Sequence, residues 1–395
     1  MEKLLEKSRR KIKSVPVQFK RYLYSTINLD NRLVSILGAR GAGKTTLLLQ
    51  LGKRLSGKMV LYVALDDLFF TDNTLYSLAE QFHKAGGEVL LLDEVHKYPT
   101  WSREIKLIFD DFADLQVIFT SSSVLDIYTG ESDLSRRVSH YRLPEMSFRE
   151  YLIFQHDINM ESISLDDILN HHHDITYEML GTFKPLKYFP DYLKHGTYPY
   201  FSGDEADYYQ KLLNTVNQVL DVDLPVVQRV DYENITKFKR LLYILATNVP
   251  FTPNISKLSE NINLHRNALV HALQWLSKAE LLHILYKQTR SISVMSKPDK
   301  IWLHNTNLSY ALGNRLPDKG NLRETFFISQ LQTAHDVSLP DKGDFWIDDR
   351  YLIEIGGKNK TGTQIQGYHN AYIVKDDIET GVLKSIPLWL FGFLY

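Results

Sequence analysis

Gly38-Ala39-Arg40-Gly41-Ala42-Gly43-Lys44-Thr45 spells G-x-x-x-x-G-K-[ST], between an apolar strand-like run at 33–37 and a helix-like run at 46–51. In that order, strand, glycine-rich loop and helix make a phosphate-binding loop. The glycines let successive backbone N–H groups turn inward around a polyphosphate, and the helix N-terminus adds positive potential. Lys44 is then placed for the β- and γ-phosphates and the Thr45 hydroxyl for Mg²⁺, and Thr46 closes the nucleotide-binding stretch that begins at Gly38. The loop predicts a nucleoside triphosphate as ligand.

A second strand should supply the acidic partner, and Glu88-Val89-Leu90-Leu91-Leu92-Asp93-Glu94 reads as one: an apolar run too short for a helix, ending in two carboxylates. This is a Walker B pattern. A buried central strand of a parallel sheet reads as continuous Val and Leu, and such sheets place ligands at the carboxyl ends of their strands. Asp93 is expected in the Mg²⁺ shell, and Glu94 as the base that orients and deprotonates an attacking water. Asp-Glu after a strand is by itself an ordinary solvated turn; its pairing with the loop gives it the functional reading. A third run, 115–119, ends in Thr120-Ser121-Ser122-Ser123. Thr120, Ser121 and Ser122 read either as sensors of the γ-phosphate and water or as turn and N-cap residues. Arg136 and Arg137 read either as a solvated basic pair or, for Arg137, as an arginine that stabilises the transferring phosphate of its own or a neighbouring subunit.

The chain has 395 residues, enough for several domains with their own cores. Its 46 Lys+Arg balance 47 Asp+Glu, so no bulk charge announces nucleic acid or an acidic substrate and any such binding must be local. The most uneven stretch is the start, where Lys3, Lys7, Arg9, Arg10, Lys11, Lys13, Lys20 and Arg21 face Glu2 and Glu6. It lacks the apolar core of a signal peptide, and no later run is long and uncharged enough to span a membrane, so a cytosolic protein is expected. With no cysteine, disulfides, thiolate metal sites and cysteine nucleophiles are excluded.

Strand-like and helix-like runs alternate over residues 1–146, predicting an α/β nucleotide domain with a parallel sheet. Residues 147–234 turn helical and tyrosine-rich, a helical lid or connector; His171-His172-His173 within it reads as a solvated turn rather than a metal site. Residues 235–300 read as three helices and a hairpin, a winged-helix module. Leu269, Leu273 and Leu276 form the buried stripe of its third helix, Asn267, His271, Gln274 and Lys278 the opposite face, and 282–286 and 291–294 the two strands. Such a module docks either DNA, with Lys278, Lys287 and Arg290 on phosphates, or a partner protein. In residues 301–395, a three-residue loop, Asp348-Asp349-Arg350, sets Asp344 opposite Glu354 on one hairpin face. Two carboxylates that close can share a divalent cation, with Lys358 on the same side if the strand continues and Glu324 approaching from a helix. The competing reading is a pair of solvated acids beside a lysine.

The loop, L-L-L-D-E-V-H-K (90–97), T-S-S-S (120–123), L-P-E-M-S-F-R-E-Y-L (143–152), Y-L-K-H-G-T-Y-P (192–199) and E-I-G-G-K-N-K (354–360) span nearly the whole chain. In these motifs it resembles bacterial and archaeal AAA+ type ATPases in which a P-loop domain is fused to a C-terminal domain of unassigned function. The resemblance implies an AAA+ core with a helical lid, then a winged helix, then a small α/β fold similar to PD-(D/E)XK nucleases. It also implies ATP and Mg²⁺ as ligands, Lys44, Thr45, Asp93 and Glu94 in hydrolysis, Thr120 to Ser122 as sensors and Arg137 as a finger; a monomer and a homo-oligomer both stay open. Two positions differ from the family's pattern. Ser121 stands where glycine is usual, and Gly356 stands where active nucleases carry lysine, which here comes at 358. The second difference predicts weak or absent cleavage. The expected function is Mg²⁺-dependent ATP hydrolysis coupled to a conformational change in the C-terminal module. The alternatives are a slow nucleotide-gated switch that binds DNA or a protein, and an ATP-regulated nuclease.

Overall fold

The computed structural model describes residues 1–122, 134, 136–225, 232–248, 254–287, 297–313 and 315–395. Its contacts divide the chain into two units, Met1–Glu145 with Val222–Arg229, and Met146–Asp221 with Val230–Tyr395.

The first unit is built on five strands, β1 (Leu33–Gly38), β2 (Val60–Ala64), β3 (Val89–Asp93), β4 (Gln116–Ser122) and β5 (Ser139–Arg142), in the order β2-β3-β4-β1-β5. Every pairing is parallel. The apolar runs behave as fully covered strands should: all five residues of β3 and all seven of β4 are buried. Their side chains alternate between two cores. Leu33, Leu61, Val63, Leu90, Leu92, Val117 and Phe119 pack against the helices Leu75–Lys84 and Trp101–Asp111, while Val34, Ile36, Tyr62, Leu91 and Ile118 pack against the helix Lys44–Arg54 through Leu47, Leu48 and Leu51. The edge strand β2 is covered by the first helix, Glu2–Ser14, whose buried Ser8 hydroxyl accepts from the Tyr62 N–H at 2.8 Å. That bond satisfies an edge group that would otherwise invite another strand.

In the second unit one hydrophobic core joins the helices Phe148–His156, Leu165–Leu180 and Pro185–His195 to the helix Lys319–Leu331, the closing turns Leu388–Phe393 and one face of a mixed sheet. That sheet comprises β8 (Val337–Ser338), β9 (Phe345–Ile347), β10 (Tyr351–Gly356), β11 (Ala371–Lys375) and β12 (Ser385–Pro387), ordered β12-β11-β10-β9-β8. β10, β11 and β12 run parallel, and β9 is antiparallel to both β10 and β8. The histidine triplet is not a solvated turn: it lies inside the helix Leu165–Leu180, with His172 buried and its two neighbours exposed. The reason is local, since the Ser164 hydroxyl caps that helix on the Asp167 N–H and Leu165, Ile168, Leu169 and Met179 continue its apolar stripe across the triplet.

The second unit also holds the helices Tyr232–Asn248, Ile255–Ile262 and Arg266–Lys278, and in the last of them Leu269, Leu273 and Leu276 are fully buried. The strand after them, β6 (Leu282–Leu285), pairs antiparallel with β7 (Lys300–Leu303). The strand expected at 291–294 and Arg290 lie outside the described residues. Among the described residues no helix is long and apolar enough to cross a membrane.

Candidate functional site

The loop after β1 turns through two left-handed glycines, Gly41 at φ 87° and Gly43 at φ 97°, a conformation that a side chain would strain. Gly43 is the N-cap of the helix Lys44–Arg54. The buried Lys44 side chain folds back so that Nζ donates to the Gly38 and Ala39 carbonyls at 2.8 and 2.9 Å. Those two oxygens orient the ammonium without cancelling its charge. The loop is braced from outside by buried Arg21, which donates to the Ala42 carbonyl at 2.5 Å and to the Pro144 carbonyl at 2.7 Å.

The end of β3 meets the loop here. The Thr45 hydroxyl donates to Asp93 Oδ2 at 2.9 Å, so the two residues expected at Mg²⁺ touch. The Tyr62 hydroxyl donates to the same oxygen at 2.7 Å, and Thr120 Oγ1 donates to Oδ1 at 2.5 Å. Burial, and then the Asp93 charge, push the Tyr62 phenol above its ordinary range and keep it a donor. Thr120 also accepts from the Glu94 N–H at 3.0 Å, pinning Glu94 at φ 56° in the left-handed region, a strained conformation for a residue with a side chain. Of the three sensor candidates, Thr120 is thus spent on Asp93. Ser121 Oγ lies 3.4 Å from His96 Nδ1, and Ser122 Oγ is buried with no hydrogen-bond partner. One carboxylate, one hydroxyl, a lysine on carbonyls and an unpartnered serine fit a triphosphate with Mg²⁺, an ion that keeps water and phosphate among its ligands.

Two participants had no sequence signal of their own. Arg40 Nη1 donates to both carboxylate oxygens of Asp223 at 2.9 Å, and Asp223 is buried. His96 Nε2, also buried, lies 3.7 Å from Asp223 Oδ1 and 3.6 Å from Glu94 Oε2. Burial would raise the Asp223 pKa, but His96 and the Arg40 guanidinium outweigh it and hold the carboxyl below its ordinary range. Glu94 is further flanked by Lys97 at 3.5 Å and Arg40 at 4.0 Å. Tyr62 is the third unforeseen residue; its place on the β2 face beside β3 was the only available hint. Arg137 pairs with Asp110 through Nε at 3.2 Å.

In the terminal sheet β9 and β10 pair Ile347 with Tyr351, Trp346 with Leu352 and Phe345 with Ile353; the ladder ends there, and the Asp344 N–H donates to the Ile353 carbonyl at 2.8 Å. Asp344 Oδ2 accepts from the Ile355 N–H at 2.7 Å. Glu324 accepts from Trp302 Nε1 at 3.0 Å and from Lys300 at 3.2 Å; burial raises its pKa, Lys300 opposes that, and the Asp344 charge adds to it. The lysine expectation is corrected. β10 ends at Gly356, Lys358 sits exposed in the following turn, and Lys360 reaches Glu354 Oε1 at 2.9 Å. The Lys360 N–H bonds back to the Gly357 carbonyl at 2.9 Å, which folds the chain over the strand end instead of extending it. The other Glu354 oxygen is buried with no hydrogen-bond partner. Among the described residues no group of three or more His, Cys, Asp or Glu is arranged to hold a metal ion.

On the three-helix module Asn267 and Lys278 are exposed and His271 and Gln274 half-buried, with Arg266, Asn267, Val270, His271 and Lys297 lining a small cleft over Ile255. Lys287 lies 3.8 Å from exposed Asp341.

A phosphate-loop strand, an acidic strand end and a threonine strand between them define an α/β nucleotide site of P-loop type. Residues 30–152 match the family model of the AAA domain, and residues 186–319 match that of a domain of unknown function (DUF8612). The chain is 28% identical over 371 residues to an uncharacterized protein of Methanocaldococcus jannaschii, covering 86% of this chain and 78% of that one. Among solved structures, AMPPCP-bound DnaA from Aquifex aeolicus is 16% identical, with 69% of this chain and 86% of that one covered and a TM-score of 0.25. A structure describing katanin self-assembly is 17% identical at a TM-score of 0.26, with 35% of this chain and 49% of that chain covered, so this chain spans about half its length. With TM-scores this low, the fold rests on the strand order itself.

Proposed function

We propose that the first unit binds ATP with Mg²⁺ and hydrolyses it, and that the nucleotide state times a change in the C-terminal unit. The carrying observation is the 2.9 Å contact between Thr45 of the loop and Asp93 of β3, which joins the phosphate-binding and acidic halves in one place. When bound, the metal would offset phosphate charge. Thr45 and Asp93 would hold it, Lys44 would meet the β- and γ-phosphates, and Glu94 would take the proton of the attacking water as its oxygen bonds the γ-phosphorus and ADP leaves. Adenine as the base is supported by the AAA-domain match. Glu94→Gln keeps size and an acceptor but loses the base, so it should bind ATP while turnover falls by about 10²-fold. Turnover at the parent rate would place the base elsewhere.

The second reading is a slow switch that binds duplex DNA through the helix Arg266–Lys278, favoured by the Arg266, Asn267, His271 and Lys297 cleft on its open side. Lys278, Lys287 and Arg290 would then contact phosphates, and removing each should lower the log–log salt slope by about one. Duplex binding that is absent at low salt, with and without ATP, would leave a protein as the module's partner.

A further inference from the structure

Arg40 belongs to the phosphate loop, yet its guanidinium is held by a residue 183 positions away. Asp223 lies in the short excursion Val222–Arg229 by which the later chain enters the first unit, with Asp221 before it and Val230 after it assigned to the second. A wide, π-type helical turn, Val219–Asp223, ends at this residue, a distortion that recurs at functional sites. The Asp223 side chain is 1% exposed, against 21% for Arg40. A carboxylate that deep is strongly unfavourable without a partner, so the seating of the segment depends on Arg40. His96 stands at an ion-pair distance of 3.7 Å, too long for a hydrogen bond, and is a cation only when protonated.

A triphosphate at the same loop would present several negative oxygens to that guanidinium, and arginine pairs with phosphate at least as well as with carboxylate. It would also repel Asp223 across a partly buried gap where charge is weakly screened. We propose that Asp223 is an internal anion competing with bound nucleotide for Arg40, so that Arg40 latches segment 222–225 onto the first unit when no triphosphate is present and releases it when one binds. This deepens the nucleotide reading and rests on it. The latch gives that site a physical output: the segment it frees is covalently continuous with the second unit on both sides. Coupling is reciprocal, so the factor by which nucleotide loosens the segment equals the factor by which the segment weakens nucleotide binding.

Hydrogen exchange at the 222–225 amides, read with and without a saturating non-hydrolysable ATP analogue and Mg²⁺, tests the latch alongside titration of a fluorescent ATP analogue. In the native protein, nucleotide should reduce protection at 222–225 by about five- to tenfold, and Asp223→Asn should tighten nucleotide binding by about the same factor. Arg40→Gln should expose 222–225 without any nucleotide, a readout that stands even if Asp223→Asn folds poorly. Bound nucleotide that leaves protection unchanged or raises it would overturn the latch and leave the ATP reading intact. Failure of the native protein to bind nucleotide at all would overturn both, with Arg40→Gln still reporting whether Arg40 clamps the segment.

Discussion

In the first unit Lys44 rests on two main-chain carbonyls at 2.8 and 2.9 Å; in the second, Lys360 rests on the Glu354 carboxylate at 2.9 Å. Both lysines follow a strand end, and Glu354 is almost wholly buried. The difference is in what holds the ammonium. A carbonyl fixes an ammonium's direction without neutralising it, whereas a carboxylate neutralises it. Lys360 also travels over Gly356, where an added Cβ would meet its Cγ and Cδ at 2.7 Å. A side chain at position 356 would therefore have to displace the Lys360 side chain. Lys360 is paired with a carboxylate, while in the proposed nucleotide reading Lys44 meets an anion.

The comparison predicts that the two lysines have opposite mutational signatures. Lys360→Ala strands a buried carboxylate and should cost about 1–3 kcal/mol of stability in urea unfolding, less than a fully buried pair because Lys360 is partly exposed. Its nucleotide affinity should be unchanged. A variant as stable as the parent would show that Glu354 does not need the pair and would reopen the site as a ligand site.

A smaller effect separates the terminal acids. Burial raises the Glu324 pKa, so the protonated form is favoured in the folded state; stability from that form is complete below the unfolded value of about 4.5 and is lost as pH rises through the folded one. Glu324→Gln should therefore gain stability relative to the parent between pH 5 and pH 7 in paired thermal scans. A difference that does not change with pH would mean that Lys300 and Trp302 fully offset the burial.

What the sequence made legible follows from local chemistry. The loop, the apolar runs that became β1, β3 and β4 and the Asp93–Glu94 end are continuous stretches that lie where they were read, whereas the half-exposed β5 (Ser139–Arg142) carried no apolar run and was not read. The partners of those residues were hidden because they are distant in sequence: Asp223 comes from beyond residue 200, and Tyr62 differs from any other strand tyrosine only by its neighbour on β3. At the terminal hairpin the three-residue turn between Ile347 and Tyr351 could be counted from the sequence, but the reach of Lys360 could not. Counting along an extended strand picks Lys358, and only the turn after Gly356 shows that the chain doubles back.

The central claim is that Lys44 is a phosphate ligand and not a structural lysine. Calorimetric titration of Mg·ATP into the native protein and into Lys44→Ala tests it most directly. The account predicts binding by the native chain, an affinity lower by about tenfold or more in the variant, and unfolding transitions that coincide. Equal affinity in the two proteins, or a variant that loses stability in place of affinity, would contradict it.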